Sequence, residues 1–243
     1  VILRANKGQV SYGVSIGIIL IDTFTPFIPG DVGNATTYSF PVRFQTVKGL
    51  TFDKLLNKDR SMLEPLIEAG QDLVNEGVKA VTGDCGYLAM YQEELADTLK
   101  VPVFMSSLLQ LPFMSHMLKK GEKIGVICSK ADYFDEKILE GLGINSHVSL
   151  CVRGLEGQEN FRKAAHDEIG IIAPDLIEQE VVSVARQLTE DEPAVKLLLL
   201  ECSSLPPYAA AVQQAVQLPV FDYVTMINYV QSTLVQSRFQ GFM

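Results

Sequence analysis

One pattern, met twice, constrains this chain more than any other. A short apolar strand runs into a cysteine and then into a helix-forming stretch, as Val81-Thr82-Gly83-Asp84-Cys85-Gly86 and again as Leu199-Leu200-Glu201-Cys202-Ser203-Ser204. Each is followed, one helix later, by a strand of the same form, Val101-Pro102-Val103-Phe104 and Leu218-Pro219-Val220-Phe221. We read this as a weak internal duplication. It predicts two pseudo-symmetric lobes, each presenting one thiol. The first lobe takes residues 1–118 and 222–243 and carries Cys85; the second takes residues 119–221 and carries Cys202.

The rest of the chain repeats the same alternation. Strands are expected at Val14–Ile21, Val78–Thr82, Val101–Phe104, Lys123–Cys128, His147–Cys151, Val195–Leu200 and Pro219–Phe221. Helices are expected over Ser61–Glu76, Tyr87–Leu99, Ser106–Lys119, Ala131–Glu140, Pro174–Leu188, Leu205–Val216 and Thr225–Gln236. Strands alternating with helices imply an α/β chain with mostly parallel sheets covered on both faces. Residues 23–57, rich in Pro, Gly and aromatics, read as one long connection, and a connection of that length is usually functional.

Composition removes several classes of function. At 47% hydrophobic and 20% charged residues the chain is globular rather than disordered. The net charge is −9, and the richest basic cluster, Lys119, Lys120 and Lys123, reads as a solvated helix end. Nucleic acid and anionic membranes are therefore not expected partners. The apolar runs fall well short of the ~20 residues that span a bilayer. No basic start followed by an apolar stretch marks a signal peptide, and the four cysteines form no CxxC pair. Reduced thiols and a cytoplasmic location are the expectation.

Ligands of parallel α/β sheets bind beyond the carboxyl ends of strands, which is where Cys85 and Cys202 fall. Each also precedes an expected helix, whose N-terminus would lower a thiol pKa. The backbone N–H groups of Gly86, Tyr87, Ser203 and Ser204 could hold a substrate carboxylate there. Cys128 and Cys151 have no counterpart in the duplication and read as core residues. His116, His147 and His166 share no metal-like spacing and read as surface or capping groups. Asp22, Asp84, Glu201 and Asp222 gather at strand ends, with Asp31 in the long loop. They fit a hard-cation site, partners for the cysteines, or helix caps. No DxD run or His partner supports the cation, and no metal is assigned. Ser106-Ser107 fits a polar cleft wall or an N-cap. Tyr87, Tyr208, Phe27 and Tyr223 fit either an aromatic wall for a cation or core packing.

With these residues in view, the chain resembles the aspartate/glutamate racemase superfamily over nearly its whole length. That resemblance implies two flavodoxin-like lobes and an interlobe cleft with one cysteine from each side. It matches Cys85 and Cys202 to the catalytic pair and Asp22 to a polar position after the first strand. Where racemases carry Asn-Thr after the first cysteine, this chain has Gly86-Tyr87. A closer local resemblance is to algal dimethylsulfoniopropionate lyases. It is carried by Thr82-Gly83-Asp84-Cys85-Gly86, Val103-Phe104-Met105-Ser106-Ser107-Leu108, Gln110-Leu111-Pro112, Glu201-Cys202, Leu205-Pro206-Pro207-Tyr208 and Pro219-Val220-Phe221-Asp222.

The resemblance implies proton abstraction α to a carboxylate, with no cofactor. Racemisation or epimerisation of a small acid is the first expectation. Elimination of a β-leaving group is the second, and a two-lobe binding protein without catalysis the third. Expected substrate contacts are Asp22, Asp84, Gly86, Tyr87, Ser106, Ser107, Glu201, Ser203, Ser204 and Tyr208. Expected partners are a small carboxylate and, as a homo-oligomer, further copies of the chain.

Overall fold

The computed structural model describes residues 2–5, 8–134, 136–144 and 148–242. Eight strands are found there: β1 Ile16–Leu20, β2 Val42–Thr46, β3 Ala80–Gly83, β4 Val103–Phe104, β5 Lys123–Cys128, β6 Leu150–Gly154, β7 Val195–Leu200 and β8 Val220–Phe221. They form two four-stranded parallel sheets of identical topology, ordered β2-β1-β3-β4 and β6-β5-β7-β8. This is the start of the flavodoxin order, met twice. Nine α-helices accompany them among the described residues: α1 Phe52–Leu56, α2 Leu63–Asn75, α3 Gln92–Thr98, α4 Leu111–Ser115, α5 Glu136–Gly141, α6 Glu159–Ala165, α7 Pro174–Asp191, α8 Ala209–Val216 and α9 Tyr223–Leu234.

The central strands are buried on both faces and consist of nearly unbroken aliphatic runs, Ile16–Leu20 and Val195–Leu200. Helix α2 lays Leu66, Ala69, Gly70 and Leu73 on the first sheet, and α7 lays Ile177, Val181, Val184, Ala185 and Leu188 on the second. Both sets follow helical spacing, and each fully buried Leu or Val stabilises by about 1.5–3 kcal/mol. Helix α9 starts in a capping box: Thr225 N–H donates to Asp222 Oδ1 at 2.7 Å, and Asp222 N–H donates to Thr225 Oγ1 at 2.9 Å. It brings Tyr223, Met226 and Ile227 against Ile16, Ile18, Ala80 and Phe104 of the first sheet. Another core cluster runs through both sheets, from Ile19 and Val81 to Ile124, Val126 and Leu199.

Three elements are additional to the sequence reading. The long connection 23–57 holds strand β2 and helix α1, so its irregular part is shorter than expected. Helix α6 lies in a stretch to which no element was assigned. His147, and with it the expected start of a strand, lies outside the described residues.

Candidate active site

The two cysteines stand just past the carboxyl ends of β3 and β7. Cys85 is extended, with φ −148° and ψ 128°, and leads into a 3-10 turn over Gly86–Tyr91 rather than an α-helix. Cys202 leads into a bend, and its helix begins only after another 3-10 turn at Pro206–Tyr208. Neither thiol therefore sits on the first turn of an α-helix. In each lobe the residue two places on turns its backbone N–H to the sulfur, Tyr87 to Cys85 and Ser204 to Cys202.

Both thiols line one cavity of about 40 Å³. Asp84, Ser129, Ser203 and Ser204 line it from strand-end turns. Ile21, Thr23, Thr25 and Phe27 enter from the segment after β1, Phe52 from α1, and Ala165 and Glu168 from the end of α6 and beyond. Among these lining residues there is no Lys, Arg or His; the charged types are Asp84 and Glu168. Among the described residues, no group of three or more His, Cys, Asp or Glu could hold a metal ion.

The segment 23–34 crosses from the first lobe to the second as a strap. Thr23 Oγ1 donates to Glu168 Oε1 at 2.7 Å, Phe24 N–H to Glu168 Oε2 at 3.3 Å, and Thr25 Oγ1 to the Ala164 carbonyl at 2.9 Å. Farther along, Gly30 at φ +100° lies against Pro207, and Val32 N–H donates to the Ser203 carbonyl at 3.3 Å. A Cβ at Gly30 would stand 2.9 Å from Pro207 Cα, so only glycine fits both the angle and the contact.

Electrostatics overturn one expectation. Burial pushes the Cys202 thiol up to about 12, and the neighbouring Glu201 adds to the shift. Burial also holds Cys85 well above its ordinary value, with Cys202, Glu201 and Asp84 adding to it. The backbone N–H groups pull the other way and lose. The lowered thiol pKa expected of a helix N-terminus is absent because no α-helix starts there and the surroundings are apolar and acidic.

Three carboxyls share the setting. Burial raises Glu201 to about 8 and Asp31 to about 7, and lifts Asp84 well above its ordinary value. Both Glu201 oxygens and Asp84 Oδ2 lack a hydrogen-bond partner among the described residues. An ionised carboxylate buried without partners is costly, so Glu201 and Asp84 are held protonated, whereas Asp31 accepts from Gly33 N–H at 2.9 Å. Glu201 presses on Gly86, where a Cβ would come within 1.6 Å of its Oε1. The Ser204 hydroxyl stands within hydrogen-bonding reach of both Asp31 and the Cys202 sulfur. Donation to one withdraws it from the other.

The remaining residues singled out in the sequence are placed elsewhere. Asp22 is exposed and accepts from Gly49 N–H at 2.8 Å. Ser106 caps a 3-10 turn, and Ser107 donates to the Glu201 carbonyl at 2.8 Å. Tyr87 is core: it stacks on Tyr133 and Phe52 and accepts from Lys130 N–H at 2.8 Å. Tyr208 and Tyr223 are likewise buried in clusters of their own lobes. Of the aromatic wall only Phe27 lines the cavity. Asp222 is a helix cap, and Cys128 is buried.

Sequence reasoning missed Phe52, Ser129 and Glu168 as lining groups. It also missed His166, whose Nε2 lies 2.7 Å from Ser129 Oγ and whose ring stacks on Phe52. Burial lowers that imidazole to about 4, so it is neutral at physiological pH. His116 is exposed.

No protein-family model matches the chain. In sequence it is 29% identical over 232 residues to dimethylsulfoniopropionate lyase 3 of Emiliania huxleyi, across 92% of this chain and 60% of the relative. The chain thus spans about 60% of the length of that relative. In fold it matches glutamate racemase RacE1 of Bacillus anthracis, with TM-score 0.60 and 14% identity over 92% of this chain and 82% of that one. It also matches arylmalonate decarboxylase, with TM-score 0.58 and 15% identity over 93% and 94% of the two chains. The fold is that of glutamate racemase RacE1 and arylmalonate decarboxylase, and the sequence resembles the lyases.

Proposed function

We propose that this chain abstracts the proton α to the carboxylate of a small acid and then expels a β-onium group, as the name of its lyase relatives describes. The observation that carries the reading is the pair of matched thiols on one cavity that no Lys, Arg or His lines. At rest both thiols are protonated. The charge that favours a thiolate must then come from the ligand, and a sulfonium on the β-carbon supplies it.

Cys202 is the base, because it is the less buried thiol and has the Ser204 N–H and, in competition with Asp31, the Ser204 hydroxyl beside its sulfur. As its S–H bond forms, the Cα–H bond breaks and that electron pair becomes the Cα=Cβ bond. The Cβ–S bond breaks with its pair moving to the sulfonium sulfur. Cys202 gives its resting proton to solvent when the onium ligand binds, so the proton taken from Cα restores the resting thiol as dimethyl sulfide and an unsaturated carboxylate leave. The Ser129 hydroxyl, when His166 Nε2 is the donor of their pair, is free to donate to the carboxylate, whose charge grows in the transition state.

Racemisation is a second reading, favoured by the fold likeness to glutamate racemase. It shares the first step; Cys85 then delivers a proton to the opposite face. Incubation with dimethylsulfoniopropionate and, in parallel, with L-aspartate and L-glutamate in D₂O decides between them. Release of dimethyl sulfide is the expected result. Deuterium uptake into a chiral acid, with loss of rotation and no alkene, would replace elimination by racemisation.

A further inference from the structure

We propose that Glu168 is the specificity-determining residue for the cationic end of the substrate, and that the strap occupies it when the site is empty. The inference rests on the reading above and names what that reading leaves open: which group meets the onium charge.

Glu168 lines the cavity beside both thiols, 145 positions along the chain from Thr23. Its two oxygens are each taken by one strap donor, the Thr23 hydroxyl and the Phe24 N–H. Among the described residues no Lys or Arg forms a salt bridge with it, although Arg162, Lys163 and Asp167 nearby are paired among themselves and with Glu159. Its backbone sits at φ +46°, in the left-handed region that a residue with a side chain rarely adopts. Such strain persists only where the surroundings enforce it, and it gathers at functional positions.

The strap donors are neutral and can be displaced. The strap runs along the cavity, with Thr23 and Thr25 among the lining residues, so an onium group that reaches Glu168 displaces the strap donors. Displacing them frees Thr23 and Phe24 from Glu168 and leaves a carboxylate facing the site. An onium group then replaces two hydrogen bonds with a direct charge contact. The ring of Phe27, which also lines the cavity, offers an aromatic face of the kind such cations prefer. The other acid on the lining, Asp84, is held protonated by burial and cannot serve in the same way.

The test measures binding as well as turnover. Dimethylsulfoniopropionate and 4-methylpentanoate, its isostere without the onium charge, are titrated calorimetrically into the wild-type chain, Glu168→Gln and Thr23→Val. Circular dichroism and melting confirm that each variant folds. The wild type should prefer the cationic ligand. Glu168→Gln keeps an acceptor for the strap and loses the charge. It should weaken dimethylsulfoniopropionate by about tenfold or more and leave 4-methylpentanoate unchanged. Thr23→Val removes a strap donor that competes for Glu168 and should raise the preference for dimethylsulfoniopropionate over 4-methylpentanoate.

Equal weakening of both ligands in Glu168→Gln, an unchanged preference, or no binding of either ligand to the wild type would overturn the assignment. Dimethyl sulfide release by the wild type is scored separately. A chain that discriminates through Glu168 but releases none refutes the proposed elimination and not the cation site.

Discussion

At the residue scale, the two thiols are alike in position and unlike in setting. Cys202 is half-buried, with the Ser204 N–H turned to its sulfur and the Ser204 hydroxyl shared between it and Asp31, whereas Cys85 is buried and receives one N–H. Elimination needs one base, so Cys202→Ser should lower turnover by about 10²–10⁴-fold and Cys85→Ser by clearly less. Equal losses in steady-state assays would point to the two-sided chemistry of a racemase. Cys128→Ser should keep activity and cost about 1–3 kcal/mol in urea melts, because it buries a hydroxyl among apolar groups.

Glu201 gives a pH signature. Its pKa is raised from 4.5 to about 8 on folding. Its contribution to stability is therefore fully present below about pH 4.5 and is lost as the pH rises through about 8. Glu201→Gln removes the titration, so the variant should gain in melting temperature on the wild type between pH 6 and pH 9. A constant difference across that range would show that Glu201 does not titrate in the folded chain. His166 acts in the opposite direction, with stability lost as the pH falls from about 6.5 towards 4, so the two are separable in one pH series.

At the element scale, legibility followed burial. Strands β5 and β7 were readable to the residue because both faces are covered and their sequences are continuous apolar runs. Strand β2, Val-Arg-Phe-Gln-Thr, is a half-buried edge, and its mixed composition gave no such signal. The expected helices after Cys85, Phe104 and Leu200 each begin as 3-10 turns, and this alters the thiol electrostatics. The cysteine turns were legible because they repeat. The strap's contacts with Ala164 and Glu168 were not, since pairing across more than a hundred residues leaves no mark in local pattern. Gly30→Ala tests the strap as an element. The added Cβ meets Pro207 at a positive φ, so the strap should seat poorly, with a loss of about 1–2 kcal/mol and a raised KM. Unchanged KM and stability would mean that the strap does not govern entry.

At the scale of the whole molecule, the two sheets share one core. The apolar cluster from Ile19 and Val81 to Ile124 and Leu199 leaves no dry boundary along which the lobes could part. Thermal unfolding should therefore be a single cooperative transition by calorimetry and by tyrosine fluorescence alike. Two resolved transitions would show lobes that melt independently. Among the described residues no helix is long and apolar enough to cross a membrane.

The lobes are also stitched at their cysteines. Ser203 Oγ donates to the carbonyl of Asp84, and Ser107 Oγ donates to the carbonyl of Glu201. The acceptors are equivalent, each one residue ahead of a thiol, but the donors are not: one follows a cysteine and the other follows a strand end. Each half thus carries the missing part of the other, and neither can satisfy its own reactive turn. The chain should behave as a pair of complementing fragments. Cut at the surface turn between Lys119 and Glu122, each piece alone should be inert, and the two mixed should regain a site that two copies of either half cannot build.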